Sequence, residues 1–255
     1  MSSAGTAPTR FASPEDAYWA FFEADSAKDA EAWAGVMSYP HVRVSARGTA
    51  SYYETPEAYA SGVSWERREA TGWVRSRGIE PTRLHESADK VHLAAGWTRY
   101  NAADEPILSN RVTYILTRLD GSWGIQARFG VDSFTEGENT DESAASAVDV
   151  VQQHLRALDA RDFESCARLG SYPVTQVGIG KVHRFEDEAA YERSLAATPR
   201  GRASQRDVRA AQSGINGVNV ALTEVVESGR AVQAVFLLGK REGLWRIAGR
   251  SIIAG

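Results

Sequence analysis

The sequence contains one pattern twice, and this internal repeat is the feature that most constrains the fold. A shift of 133 residues aligns residues 16–40 with residues 149–173, so that apolar positions coincide. The matched pairs are Tyr18 with Val151, Phe22 with Leu155, Trp33 with Cys166, and Val36 with Leu169. Near the end of each copy, LDGSWGIQAR aligns with REGLWRIAGR. Because the order of the matches never breaks, the sequence predicts a tandem duplication of one domain.

The segment between the copies has the composition of a linker. TEGENTDESAAS, at residues 135–146, is rich in small and acidic residues and contains no aromatic residue. We therefore predict a first domain over residues 10–134, a linker over 135–146 and a second domain over 147–255. Two copies in one chain also permit an arrangement in which the domains pair as a fused dimer.

Each copy predicts helices first and strands afterwards. In copy one, Ser13-Pro14-Glu15-Asp16 is a helix start, and the apolar residues that follow are spaced for one helix face. A second helix is expected near residues 29–37, and Thr55-Pro56-Glu57 begins a third. Alternating strands then run to the end of the copy, with Asp120-Gly121 as a hairpin turn. The fold class is α+β, with three helices packed on an antiparallel sheet in each copy.

Ser-Tyr-Pro recurs at residues 38–40 and 171–173, where it is expected to end a helix and begin a strand. The residues with ionisable or aromatic side chains near it do not recur. The positions of His41, Arg43, Trp97 and Arg99 hold different residues in copy two: Val174, Gln176, Glu224 and Val226. Copy two thus keeps the scaffold but lacks this set of side chains.

Composition excludes several classes of protein. The formal net charge of −4 argues against a protein that binds nucleic acid or an anionic membrane as a whole. No run of residues is long and apolar enough for a transmembrane helix, and the N-terminal residues do not resemble a secretory signal, so we expect a cytoplasmic location. The single cysteine, Cys166, excludes an internal disulfide framework, and it has no partner histidine that would favour a nucleophile. The five histidines lack the spacing of metal ligands, and we expect no metal and no other cofactor.

The helical start, the third helix and the closing strands with Asp-Gly-Ser-Trp-Gly-Ile at 120–125 resemble the NTF2-like superfamily, and Glu-Gly-Leu-Trp-Arg-Ile at 242–247 repeats the motif. This resemblance implies a cone-shaped fold for both copies. It also implies the chemistry of members such as ketosteroid isomerases, SnoaL-type polyketide cyclases and scytalone dehydratase. The strand where ketosteroid isomerases carry a carboxylate base reads His-Val-Arg-Val-Ser at 41–45, without a carboxylate.

Strand alternation predicts a cationic pocket in copy one. Residues of one parity share one face of a strand, which groups Trp97 with Arg99 and Arg111 with Thr113. The predicted ligand-binding residues are Tyr18, Arg43, Trp97, Arg99, Arg111 and Arg128, with His41 as a candidate catalytic acid or base. Arginine binds carboxylate or phosphate through a planar fork, and histidine suits proton transfer near neutral pH.

A structural or solvent-exposed role for at least half of these residues is the interpretation that the sequence favours. Arginines at strand ends are commonly solvated, and the basic loops at 65–77 and 199–209 are expected to be solvated as well. In copy two, Glu224 is an acid on an apolar face and could form a second site with Arg250.

Three functions remain open from the sequence. The protein could be an isomerase, cyclase or dehydratase that works by acid–base chemistry. It could instead bind a small, partly apolar organic anion without turnover, or act as a scaffold for protein interactions. We expect a small-molecule ligand, intramolecular pairing of the domains, and scope for further homo-oligomerisation.

Overall fold

The computed structural model describes residues 11–133, 135, 137–198, 201 and 203–254. Domain 1 begins with helices α1 (Pro14–Ala27) and α2 (Ala30–Gly35). They are followed by β1 (Met37–Ser45), β2 (Ala50–Tyr53), α3 (Pro56–Ser61), α4 (Glu66–Glu69), β3 (Arg75–Gly78), β4 (Thr82–Glu86), β5 (Lys90–Tyr100), β6 (Pro106–Leu119) and β7 (Ser122–Ser133). The predicted start of domain 1 at residue 10, and residues 134 and 136 near the linker, lie outside the described residues.

Domain 2 repeats this order with fewer elements. Its parts are α5 (Asp141–Asp159), α6 (Phe163–Arg168), β8 (Gly170–Gly178), β9 (Lys181–Phe185), α7 (Glu188–Ala197), β10 (Ala203–Ser213), β11 (Gly217–Val226), β12 (Ala231–Arg241) and β13 (Leu244–Ala254). Because α5 begins at Asp141, residues 141–146 are helical and not linker. The long strand β10 stands where domain 1 has the two short strands β3 and β4.

Each domain builds one curved sheet. The order is β2-β1-β7-β6-β5-β3 in domain 1, where β4 also pairs with β5, and β10-β11-β12-β13-β8-β9 in domain 2. The β1–β7 and β8–β13 pairs are parallel, and the other pairs are antiparallel. The predicted α+β architecture of two cone-shaped domains is confirmed, with one parallel pair in each sheet.

Local signals in the sequence explain where the helices begin. The Ser13 hydroxyl accepts a hydrogen bond from the backbone of Asp16, whose carboxylate accepts one from the Ser13 backbone. This capping box, with Pro14 in the first turn, satisfies backbone groups that have no partner inside the helix. At the start of α3, the Thr55 hydroxyl accepts a hydrogen bond from the backbone N–H of Ala58, and Pro56 is in the first turn. The helices then bury aromatic residues against the concave face of the sheet, which forms the core of domain 1.

The tyrosine of each Ser-Tyr-Pro bonds back to the helix that precedes it. Tyr39 donates a hydrogen bond to the carbonyl of Ala34 at 2.9 Å, and Tyr172 donates to that of Ala167 at 2.6 Å. The helices end earlier than expected, however, and Ser-Tyr-Pro lies within strands β1 and β8. Both Tyr–Pro peptide bonds are cis.

The convex faces of the two sheets pack against each other. A buried apolar cluster between them takes residues from both domains: Val42, Val44, Ala46, Ile115, Ala127, Phe129, Val177, Val235, Leu237 and Ala248. Because Val42 and Val44 face domain 2, the alternate residues of β1, His41 and Arg43, face the interior of domain 1. The interface thus determines which side chains of β1 reach the cone.

Hydrogen bonds across this interface follow a pseudo-twofold pattern. His85 and His92 are neighbours on β4 and β5, with their Nδ1 atoms 3.0 Å apart, and His92 Nε2 lies 2.9 Å from Ser251 Oγ. On the other side, Asn219 donates to Gln212 at 3.1 Å and to the carbonyl of Phe129 at 3.0 Å. The same positions therefore join the domains in both copies, with two histidines in one and two amides in the other.

Candidate functional site

A cavity of about 470 Å³ opens into domain 1. Its walls come from β1, β2, helices α2 to α4 and the segment that joins α3 to α4. The lining residues are Trp33, Arg43, Tyr53, Tyr59, Gly62, Val63, Ser64, Glu66, Arg67 and Arg68. Aromatic rings and guanidinium groups thus dominate the wall, in a volume that suits a small organic molecule.

Arg43 lies at the inner wall of this cavity. Its guanidinium carbon is 4.7 Å from the ring centre of Tyr59 and 5.2 Å from that of Trp33, and it donates a hydrogen bond to the Tyr59 hydroxyl. Burial lowers the pKa of Arg43 to about 9, and the neighbouring charge of Arg128 adds to the effect. The group therefore stays protonated at neutral pH, although its environment opposes the charge.

Arg43 and Arg128 are direct neighbours on adjacent strands. The parallel pairing of β1 with β7 puts the two residues in register, on the face that looks into the cone. The Arg128 guanidinium lies 4.8 Å from the ring centre of Phe21 and 5.5 Å from that of Tyr114. Within the described part of the chain, the Nε atoms of both arginines are buried without a hydrogen-bond partner. Two like charges side by side, with unsatisfied donors, are an unfavourable arrangement for a strand pair.

Domain 2 has a glutamine and an arginine at the positions equivalent to Arg43 and Arg128. There β8 and β13 put Gln176 in register with Arg250, and Gln176 Oε1 accepts a hydrogen bond from Arg250 Nε at 2.9 Å. The guanidinium of Arg250 also lies 5.0 Å from the ring centre of Tyr191. The buried arginine of domain 2 thus has an internal acceptor where domain 1 has a second arginine.

A second arginine of the cavity wall, Arg68, is held by a buried carboxylate. Asp25 of α1 is only 3% exposed and forms an ion pair with Arg68. The guanidinium of Arg68 lies 5.0 Å from the ring centre of Trp33, 5.1 Å from Trp65 and 5.6 Å from Trp73. This contact fixes the loop after α3 over the cavity, so the expected solvated state of the loop is wrong for Arg68.

Arg99 lies outside the lining of the cavity. It projects from β5, and its guanidinium lies 4.7 Å from the ring centre of Trp97. Burial lowers the pKa of Arg99 to about 10, and the charges of Arg68 and Arg128 also act on it. Among the residues that the structure describes, no carboxylate forms an ion pair with Arg43, Arg99 or Arg128.

His41 is fully buried behind the tyrosine wall. Its Nδ1 lies 2.8 Å from the carbonyl of Ile125, so Nδ1 carries the proton and Nε2 is the free acceptor. The ring meets that of Tyr59 edge-on, with 5.4 Å between centres. Burial first, and then the charge of Arg43, hold the pKa of His41 well below its ordinary value. His41 is therefore neutral at physiological pH and supports the cavity wall from behind.

Tyr18 has a structural role in this arrangement. It is completely buried, and its hydroxyl donates towards the carbonyls of Ile79 at 2.6 Å and Gly96 at 3.0 Å. Burial raises the pKa of this hydroxyl above its usual range. Tyr18 thus ties α1 to β5. Of the site residues that the sequence predicts in domain 1, Arg43 lines the cavity, and the others do not: Tyr18, His41, Trp97, Arg99, Arg111 and Arg128.

The assignment of Arg111 to the cavity is wrong. Strand β6 presents Val112 and Tyr114 to the cone, so Arg111 and Thr113 lie on the opposite face. There Arg111 donates a hydrogen bond to the carbonyl of Ser213 at 3.0 Å, across the domain interface. Gln126 of β7 also faces domain 2, where its Oε1 accepts a hydrogen bond from the backbone N–H of Gly180 at 3.0 Å. A β-bulge at Gln126 shifts the register of β7 against β6, so Gln126 and Arg128 lie on opposite faces although they are two residues apart.

Glu224 and Arg250 occupy different parts of domain 2. Glu224 is 1% exposed and forms an ion pair with Arg206, with 2.8 Å between Nε and Oε2. Arg206 also binds Asp159 at 2.6 Å. The register of β11, β12 and β13 puts Arg250 in the row of Val220, four residues before Glu224. The two members of the predicted second site therefore have separate partners.

The sequence offered a signal for the missed residue Asp25. It continues the helical stripe of Phe21 and Phe22 at the next turn, where copy two has Leu158. A carboxylate at an apolar position needs a buried partner. Arg68 lacked any such signal, because no periodic pattern distinguishes it from the other charged residues of its loop.

No protein-family model matches the sequence, and no curated protein matches it either. Solved structures do match. An NTF-2-like protein of unknown function from Silicibacter pomeroyi DSS-3 is 12% identical with a TM-score of 0.37, and the match covers 46% of this chain and 100% of that one. A ketosteroid isomerase-like protein from Erwinia carotovora atroseptica SCRI1043 is 18% identical with a TM-score of 0.36, covering 45% and 97% of the two chains. An NTF2-like protein of unknown function from Shewanella baltica OS155 is 14% identical with a TM-score of 0.35, covering 46% and 98%.

None of the helices among the described residues is long and apolar enough to cross a membrane. Nor do these residues contain a group of three or more histidine, cysteine, aspartate or glutamate side chains that could hold a metal ion.

Proposed function

We propose that domain 1 binds a small, partly apolar organic anion, with the acid group of the ligand between Arg43 and Arg128. The observation that carries this proposal is the contrast with domain 2, where Gln176 supplies an acceptor oxygen to Arg250. In domain 1 both positions are arginine, and a carboxylate or phosphate oxygen from a ligand would supply the missing acceptor.

The cavity supports the apolar part of the proposal. Trp33, Tyr53 and Tyr59 line it beside Arg43, and flat rings of this kind favour a ring-bearing or branched ligand body. Partial burial of the arginines strengthens their attraction for an anion, because fewer water molecules compete with it.

The proposal is tested by calorimetric titration of the protein with benzoate and, separately, with benzamide. The two probes have the same shape, but only benzoate carries a charge. We expect benzoate to bind with a Kd in the millimolar range or below, benzamide to bind at least tenfold more weakly, and Arg128→Met to abolish the difference. Arg118→Met, which changes an exposed arginine of the same domain, is the matched control. Equal binding of both probes, or of benzoate to wild type and Arg128→Met, would refute the proposal.

Turnover is a second candidate, with His41 as the acid or base of an isomerase-, cyclase- or dehydratase-type proton transfer. The observation that favours it is the buried, unpartnered Nε2 of His41 beside the tyrosine wall. Its low pKa makes the neutral imidazole a weak base, so we rank binding above turnover. Exchange of the α-protons of phenylpyruvate with deuterium, followed by NMR, tests this role. A rate above background that His41→Gln removes is expected for a catalyst, and a rate equal to background excludes it for this probe.

A further inference from the structure

We infer that residues 64–72 form a lid over the cavity of domain 1, which opens as one unit and controls how fast a ligand reaches Arg43. The inference concerns the regulation of the proposed anion site and rests on that function. It follows from how this segment is attached to the rest of the domain.

The lid forms part of the cavity wall. Its residues Ser64, Glu66, Arg67 and Arg68 line the cavity together with Arg43. The first three of these are also exposed to solvent. The lid is therefore a boundary between the cavity and the solvent, and its movement would widen the entrance.

The backbone of the lid is bonded to itself and to Trp73. Within the described part of the chain, the N–H groups of residues 68–73 donate to carbonyls of residues 65–69. Before the lid, the N–H of Val63 donates to the carbonyl of Ala60 at 3.1 Å, and after it the N–H of Val74 donates to that of Tyr100 at 2.9 Å. The segment thus lies between two anchored ends and can move without the loss of a strand pairing.

Two ion pairs attach the lid to the last turn of α1. Arg68 binds Asp25, which is almost completely buried, and Glu69 binds Lys28. The side chains of Lys28 and Glu69 are 41% and 45% exposed, so water screens this second pair and it contributes little to stability. Side-chain contacts of this kind can break and re-form, as closure over a binding site requires.

Trp73 belongs to the fixed surface on which the lid rests. Its Nε1 donates to Ser76 Oγ at 3.0 Å, and the backbone N–H of Ser76 donates to Ser26 Oγ of α1 at 3.2 Å. Trp65 of the lid stacks on Trp73, with 5.8 Å between ring centres. Opening would separate the Trp65 ring from a ring that stays in place, so Trp65 is a natural reporter of the motion.

Domain 2 lacks both the helix of the lid and its buried attachment. The position of Asp25 is Leu158 there, and among the described residues no helix corresponds to α4. Arg161, at the position of Lys28, lies 5.7 Å from the ring centre of Phe163 instead. The carboxylate of Asp25 thus occurs in the domain that has the lid, which is the expected pattern if its role is to hold the lid closed.

The motion is tested by ¹⁹F NMR relaxation dispersion on protein labelled with 5-fluorotryptophan, first without ligand. Trp65 reports on the lid, and Trp245 of domain 2 is the reference in the same sample. We expect exchange on the microsecond to millisecond timescale at Trp65 and none at Trp245. A titration with benzoate, followed by the line shape of the Trp65 signal, then gives the association and dissociation rates.

Two variants separate the attachment of the lid from the charge of the protein. Lys28→Met and Glu69→Gln remove the same exposed ion pair but change the net charge in opposite directions. Both should raise the opening rate about threefold, since an exposed ion pair contributes this much. Association and dissociation of benzoate should accelerate by the same factor, with Kd unchanged within twofold. Arg118→Met, which removes an exposed ion pair elsewhere in domain 1, is the control and should change neither rate.

The outcomes separate this inference from the function on which it rests. No exchange at Trp65 beyond that at Trp245, in a protein that binds benzoate, would overturn the inference and leave the proposed function standing. Rate changes of opposite sign in Lys28→Met and Glu69→Gln would also overturn it, because they would follow the charge. Exchange at Trp65 that both variants accelerate, without benzoate binding to any of the proteins, would support the lid and overturn the proposed function.

Discussion

The interiors of domains 1 and 2 differ most at a pair of positions that the fold makes neighbours. In domain 2, Arg250 has the amide oxygen of Gln176 beside it on the next strand. In domain 1, Arg128 has Arg43 beside it instead. The comparison is informative because both domains have the same fold, so that equivalent positions have equivalent neighbours. Arg128 recurs as Arg250, whereas Arg43 is replaced by Gln176 in domain 2. The like-charged Arg43–Arg128 pair is therefore particular to domain 1, and the proposed function rests on it.

The coverings of the two cones differ as well. Domain 1 has the short helix α4 and a loop in which Trp65 stacks on Trp73, with 5.8 Å between ring centres. Arg68 of this loop binds Asp25. Among the described residues of domain 2, α7 leads to the single long strand β10, with no helix that corresponds to α4. Among the described residues, the domain with a helix and loop over its cavity is therefore also the one with the Arg43–Arg128 pair.

The substitution Gln176→Arg should give the largest effect, because it creates the domain 1 pair inside domain 2. Arg250 is 4% exposed and would lose its acceptor while gaining a like charge. We expect the free energy of unfolding to fall by about 3 kcal/mol, measured by urea denaturation. Gln176→Glu, which keeps an acceptor oxygen, is the control and should not fall as far. Equal stability of the two variants would contradict our reading of this position.

Asp25→Asn should have the next largest effect. It removes the carboxylate that pairs with Arg68, and we expect a loss of about 2 kcal/mol in the free energy of unfolding. Loss of the negative charge of Asp25 should at the same time raise the affinity for benzoate. Calorimetry and urea denaturation on the same sample check both changes. Weaker benzoate binding by a folded Asp25→Asn would show that Asp25 does not compete with the ligand.

The interface predicts a difference in acid sensitivity. Burial lowers the pKa of His85 to about 4 and that of His92 well below its ordinary value, with Arg209 and Lys90 acting in the same direction. Below about pH 6.5 the unfolded chain therefore binds protons that the folded chain excludes, and stability falls as the pH decreases. We expect a loss of about 1 kcal/mol per histidine for each pH unit below 6.5.

The double variant His85→Gln/His92→Asn tests this account, since it introduces the residues found at Gln212 and Asn219. Thermal denaturation at pH 6.5 and pH 5.5 should show a smaller loss of stability for the variant than for wild type. The same loss in both proteins would mean that carboxylates elsewhere cause the acid sensitivity.

The sequence alone predicted the repeat, the element order and the inward direction of His41 and Arg43. The prediction for Arg111 was wrong because alternation shows which residues of β6 share a face, but it does not show which of the two faces lines the cone. Alternation also does not hold from Gln126 to Arg128, because the β-bulge between them has no local signature in the sequence. The contact between Arg43 and Arg128 could not be predicted from the sequence for a different reason. Arg43 and Arg128 become neighbours only through the parallel pairing of β1 with β7, a contact between distant parts of the chain that no local pattern encodes.

The most direct test of the account is Arg43→Gln, which gives domain 1 the residue of domain 2. The new amide oxygen should accept hydrogen bonds from Arg128, so we expect the free energy of unfolding to rise by about 1 kcal/mol. Benzoate binding should be lost in the same variant, measured by calorimetry. A gain in stability together with loss of binding is the predicted result. Unchanged binding, or a loss of stability without ligand, would contradict the claim that this pair is built for an anion.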